Sequence, residues 1–199
     1  MELASLVRPL GIVAGPAAVL ALVLLVTGLV TVGEADVVTS PLATASFALL
    51  LVALLGMGAA AVAALARVRE AGRGVSGMAI AVIGTVLVAG GGWAALFVLT
   101  ALAAEAPDVV ETGLQSVVVG YIASYLVFTV GWVWTGIALI RARLVPTWLG
   151  VVVAVGGLLA FVPAPEAVRL LVVGIATSLL ARRLAAPAQV RVTEAAATT

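Results

Sequence analysis

The chain has 199 residues, 64% of them hydrophobic and 10% charged, with a net charge of +1 and a mean hydropathy of +1.33. Soluble domains are about half apolar and a quarter charged, so this composition is that of an integral membrane protein. Cys, His and Lys are all absent, which removes disulfides, thiolate and imidazole chemistry and Schiff bases, while the arginines lack the clustered basic face that nucleic acid requires.

Six apolar runs come near or above the roughly 20 residues that cross a bilayer: 10–32, 42–65, 78–102, 114–140, 144–162 and 167–181. They predict an all-α fold, a six-transmembrane-helix bundle spanning residues 1–186, followed by a disordered cytoplasmic tail over 187–199. The first run is too long for the core of a signal peptide and reads as a retained span. Pro16 falls inside it, where a kink or outside partners for the freed backbone groups are expected. Ser40-Pro41 has the form of an N-cap followed by proline at the first helical position. Ser76 is placed to cap the third span, and Pro107 to Glu111 resembles a capping box opening the fourth. Pro165 begins the sixth.

The loops orient the bundle. Arg8, Arg67, Arg69, Arg73, Arg141, Arg143, Arg182, Arg183 and Arg191 fall at one end if the runs alternate direction. The opposite loops hold Glu34, Asp36, Glu105, Asp108, Glu111 and Glu166, with Arg169 as their one base. The positive-inside rule therefore predicts both termini in the cytoplasm.

The fourth run concentrates the aromatic residues. Tyr121, Tyr125, Phe128 and Trp132 are spaced by 4, 3 and 4 and share one helical face, while Trp134 points away from it. Beside that stripe runs a seam of small residues, Gly113, Gly120, Ser124, Gly131 and Thr135. The third run has a matching seam in Gly77, Ala81, Gly84, Val88, Gly91 and Ala95. Small residues let membrane helices approach closely, so these two spans are expected to pack as antiparallel neighbours along both seams. Gly91 and Gly120 are then expected to be intolerant of larger side chains. The stripe itself reads in two ways. It fills the gaps between helices, or, with Trp93 and Phe97 on the third span, it lines an outward-facing apolar pocket with two phenols as polar groups. Trp148 reads as an interfacial anchor.

The acids are the candidates for chemistry. Glu105, Asp108 and Glu111, with Glu34, Asp36 and Glu166 in the other two loops at that end, could bind a cation or supply a proton at a pocket mouth. The plainer alternatives are helix capping for Asp108 and Glu111, an i,i+3 pair of Glu166 with Arg169, and simple solvation for the rest. No acid or arginine lies mid-span, which argues against proton relays and voltage sensors. Gly90-Gly91-Gly92 is where a broken helix of a small carrier would be sought. No cofactor and no metal site is expected; carboxylates without His or Cys would at most suit hard cations.

The run Arg141-Ala-Arg-Leu-Val-Pro-Thr-Trp-Leu-Gly150, entering a glycine-containing span, resembles a motif in small bacterial multi-pass membrane proteins of unassigned activity. The Ala/Val/Leu/Arg bias is similar to that of actinobacterial-type proteins. Those proteins often carry a histidine early in the chain; this one has none. A weaker resemblance is to small membrane-embedded terpene cyclases, which hold acids and aromatics around an apolar cavity. It implies a carboxylic acid as proton donor and aromatic faces that stabilise a carbocation. Three expectations follow: a membrane protein that binds a hydrophobic or amphipathic ligand or pairs with another membrane protein, a cyclase, or a small carrier. The partners expected are the lipid bilayer and a small hydrophobic molecule or second membrane protein, with no nucleic acid.

Overall fold

The structure, a computed structural model, describes residues 3–33, 37, 40–106, 108 and 115–185. Among these there is no strand. The helices are α1 (Leu3–Val32), α2 (Pro41–Glu70), α3 (Ser76–Ala94), α4 (Thr100–Glu105), α5 (Gln115–Arg141), α6 (Thr147–Leu159) and α7 (Glu166–Ala185). A π-helical turn, Ala95–Leu99, joins α3 to α4. The proposed tail, 187–199, lies outside the described residues.

Among the described residues, four stretches are long and apolar enough to cross a membrane: Pro9–Val32, Pro41–Glu70, Ser76–Val98 and Val117–Arg141. The α6 helix has 13 residues, about 20 Å at 1.5 Å per residue, against a hydrocarbon core of about 30 Å. The α7 helix has 20 residues, but Glu166, Arg182 and Arg183 occupy its end turns. Every long helix exposes large apolar side chains, among them Leu20, Leu55, Val86, Ile122, Val151 and Ile175. Such a surface is excluded from water-soluble monomers at this extent and marks a membrane protein.

The helices close into a ring in the order α1, α2, α3, α5, α6, α7 and back to α1, with α2 and α7 also touching across it. The α1–α2 contact is made largely of alanine, with Ala14, Ala18, Ala21, Ala53, Ala60 and Ala61 buried. Without a hydrophobic driving force in lipid, such close backbone approach is what holds helices together. One core cluster extends from these alanines to Tyr125, Phe128 and Trp132. A second, around Met78, Leu139, Leu149 and Leu180, closes the arginine-bearing end, where Arg67 pairs with Glu70 at 3.3 Å.

Local signals behave as their chemistry requires, with one exception. The Ser40 side chain accepts from Ala43 N at 3.2 Å and Pro41 is the first helical residue. At Pro16 the helix continues, and Ser178 of α7 donates to the freed carbonyl of Ile12 at 2.7 Å. Ser76 does not cap α3: Val75 occupies the cap position and no side chain bonds there. The capping box at 107–111 lies outside the described residues apart from Asp108.

The seams meet over half their length. A Cβ on Gly84 would lie 2.4 Å from Phe128 Cα, and one on Gly131 2.3 Å from Ala81 N, so α3 and α5 touch backbone to backbone there. Among the described residues, nothing lies within 4 Å of a Cβ on Gly90, Gly91, Gly92 or Gly120. The expectation that Gly91 and Gly120 are buried in the seam is therefore corrected. Toward the acidic end the close contact is lost: at Gly91 no atom of the described residues comes within reach of a Cβ. Nor is α3 broken at Gly90–Gly92: it stays helical to Ala94, because in apolar surroundings the backbone groups have no partners but their own helix.

Candidate functional site

The acidic end of the bundle owes its geometry to prolines. The α6 helix stops at Leu159, and single turns follow with Phe161 N on Leu158 O and Val162 N on Leu159 O. Pro163 and Pro165 then prevent the helix from resuming at once. Pro165 offers its carbonyl to Val168 N at 2.9 Å and Arg169 N at 3.1 Å, which starts α7 and sets Glu166 in its first turn, where the helix dipole favours a negative charge.

The α5 and α7 backbones are not packing neighbours in the ring, so long side chains span the space between them. Tyr125, 2% exposed, donates its hydroxyl to Glu166 Oε1 at 2.5 Å. The Arg169 guanidinium lies over the Tyr125 ring, 4.2 Å from its centre, and 5.3 Å from that of Tyr121. Its NH2 donates to the Tyr121 hydroxyl. Tyr121 and Tyr125 are themselves in contact, with ring centres 4.7 Å apart. A cation on an aromatic face contributes about 0.5–2 kcal/mol, more where water is excluded. The expected i,i+3 pair does not form: no ion pair joins Glu166 and Arg169 among the described residues. Tyr125 comes between them, giving its face to the guanidinium and its hydroxyl to the carboxylate.

Tyr121, Glu166 and Arg169 border a cavity of about 340 Å³. Its apolar walls are Leu25 of α1, Phe47 and Leu50 of α2, and Ala164, Pro165 and Ala167; Tyr121, Glu166, Arg169 and Ser46 supply the polar groups. Ser46 is already committed, donating to Ala21 O at 2.8 Å.

No family model, curated protein or solved structure matches the chain. The reading of the site therefore rests on its own residues.

The stripe predicted on one face of α5 is continuous, with ring centres 6.2 Å apart from Tyr125 to Phe128 and 6.1 Å from Phe128 to Trp132. Its members divide by role. Phe128 and Trp132 are fully buried and pack the core; Trp132 Nε1 donates to Thr85 Oγ1 at 3.2 Å. Tyr121 alone lines the cavity, with Tyr125 behind Glu166. Trp93 and Phe97 stack on each other at 5.5 Å and are 52% and 56% exposed. They face outward and do not border this cavity. Trp134, at 51% exposed, also points out. Glu105 and Asp108 are exposed and take no part in the lining. Glu34, Asp36 and Glu111 lie outside the described residues.

Glu166 is one of the acids that the sequence offers at the mouth, with an i,i+3 pair to Arg169 as its plainer role, and Arg169 is given no role there beyond that pair. The signal that could have singled them out is Arg169 itself, the one base among six acids at that end. A cation placed against the orienting rule needs a local reason.

Proposed function

We propose that this protein is a six-span membrane protein with both termini in the cytoplasm, whose outward-facing cavity binds a small amphipathic molecule. The observation that carries this is the cavity between α1, α2, α5 and α7, apolar on one side and lined by Tyr121, Glu166 and Arg169 on the other. Ligand sites combine apolar walls with a few convergent polar groups and occupy about 300–1,000 Å³. A space of about 340 Å³ lies at the small end of that range and suits a head group with a few carbons. The nine-to-one division of arginines supports the orientation. The short α6 is accommodated by local thinning of the bilayer and by packing against α5 and α7.

The test is to fill the cavity. Ala164 borders it from the connection between α6 and α7 rather than from the core. Ala164→Trp is expected to weaken binding of a fluorescent short-chain amphiphile to the purified protein by about tenfold or more, with the melting temperature unchanged. Wild-type binding by this variant would rule the cavity out. For the orientation, reporter fusions at the C-terminus are expected to be active only with a cytoplasmic reporter; activity of a periplasmic reporter would overturn it.

A second reading, cyclisation of a terpene by a carboxylic acid, is favoured by one contact, the 2.5 Å bond of Tyr125 to Glu166 beside the cavity. Against it, Phe128 and Trp132 do not line the space, so the aromatic faces that would stabilise a cation are spent on packing.

A further inference from the structure

Glu166 and Arg169 line one cavity yet are not paired with each other. The two charges are held apart by Tyr125, and each is left with unused capacity. Arg169 NH2 is satisfied by a neutral phenol, its Nε is buried without a hydrogen-bond partner, and no carboxylate neutralises it among the described residues. A guanidinium so placed retains its preference for a planar anionic partner. Glu166 receives the Tyr125 hydroxyl on Oε1; Oε2 has no protein partner among the described residues.

We infer, building on the amphiphile-binding reading above, that the cavity selects a head group that carries an anionic oxygen beside a hydrogen-bond donor, as phosphoethanolamine and phosphoglycerol do. The anionic oxygen meets Arg169, and the ammonium or hydroxyl meets Glu166 Oε2. A head with an anion alone would satisfy the guanidinium but face the carboxylate, and a cation alone the reverse. A zwitterion whose nitrogen is fully methylated offers no donor, so it loses one of the two contacts. Selection by matched polar groups is steep because a buried group left unpaired costs its full desolvation. The same chemistry belongs to a phospholipid head in the outer leaflet and to a soluble phosphoester.

The test uses the full chain purified in a neutral detergent. It is titrated with dihexanoyl-phosphatidylethanolamine, dihexanoyl-phosphatidylglycerol, dihexanoyl-phosphatidylcholine, octyltrimethylammonium and free phosphoethanolamine, with dissociation constants read by native mass spectrometry. The ethanolamine and glycerol lipids are expected to bind about tenfold tighter than the choline lipid and the ammonium amphiphile. Arg169→Gln should remove most of the preference of the phosphate-bearing lipids over the ammonium amphiphile, and Glu166→Gln should narrow the gap between ethanolamine and choline lipids. Arg169→Lys keeps the charge but not the fork, and a partial loss there supports the assignment even if Arg169→Gln does not fold. Free phosphoethanolamine binding as tightly as its lipid supports a soluble source; binding about tenfold weaker supports a lipid one. Equal affinity for all heads, abolished by Ala164→Trp, overturns the head-group inference and leaves the cavity reading standing. No binding of any amphiphile overturns both.

Discussion

Gly131→Ala is expected to lower the melting temperature of the purified protein sharply, whereas Gly91→Ala will not. A Cβ on Gly131 would fall 2.3 Å from Ala81 N and 2.5 Å from Ala81 Cα. Both are backbone atoms inside α3, so no side-chain rotation relieves the clash. The helices must separate, and the contact between Gly84 and Phe128 one turn along opens with them. Overpacking of ordinary cores costs about 1–3 kcal/mol, and a backbone-to-backbone clash belongs at or above the top of that range. Gly84→Ala, with Phe128 Cα at 2.4 Å and Phe128 N at 2.5 Å, should behave alike. Gly91 and Gly120 have open space where a Cβ would go. Alanine there gains helix propensity of up to about 1 kcal/mol, so those variants should melt at or slightly above wild type. Thermal unfolding in detergent decides it; a Gly131→Ala variant as stable as Gly91→Ala would contradict the close contact.

That contrast shows how far the sequence could be read. Seven- and four-residue spacing of small residues identified α3 and α5 as partners, and the structure pairs them. Spacing alone is blind to divergence: Gly84 and Gly91 occupy the same register, yet only the first meets α5. Where two helices part depends on the rest of the ring, and that information is distributed among all six. The same holds for the stripe. Its shared face followed from the 3.6-residue period, and Tyr125, Phe128 and Trp132 do face inward. That Tyr125 would meet Glu166 required knowing that α6 stops short and that α5 and α7 face each other across a gap. Residues 125 and 166 are 41 apart, with a whole helix between them, and no local pattern links them. Among the described acids, Glu166 differs from Glu105 and Asp108 in its tertiary neighbours, which composition and charge do not encode.

Pro16 illustrates a case where the sequence posed the question and the fold supplied the answer. Lacking an N–H, Pro16 leaves the carbonyl of Ile12 without its helical donor, in surroundings with little water to replace it. Ser178 reaches across from α7, donating to Ile12 O at 2.7 Å and accepting from Gly15 N at 2.6 Å. One hydroxyl thus serves Ile12 O and Gly15 N, with Gly11 O at 3.4 Å as a longer second acceptor. Its approach depends on glycine: a Cβ on Gly15 would meet Ser178 Oγ at 2.8 Å. Ser178→Ala should therefore cost about 1–3 kcal/mol, the penalty for stranding buried polar groups. The loss should shrink in a Pro16→Ala background. There the new N–H of residue 16 can bond Ile12 O within the helix. A double-mutant cycle on Pro16 and Ser178 is expected to give a coupling of about 1 kcal/mol or more, read from melting in detergent or from denaturation in mixed micelles. Strict additivity of the two substitutions would mean that Ser178 only packs against α1 and does not complete its backbone.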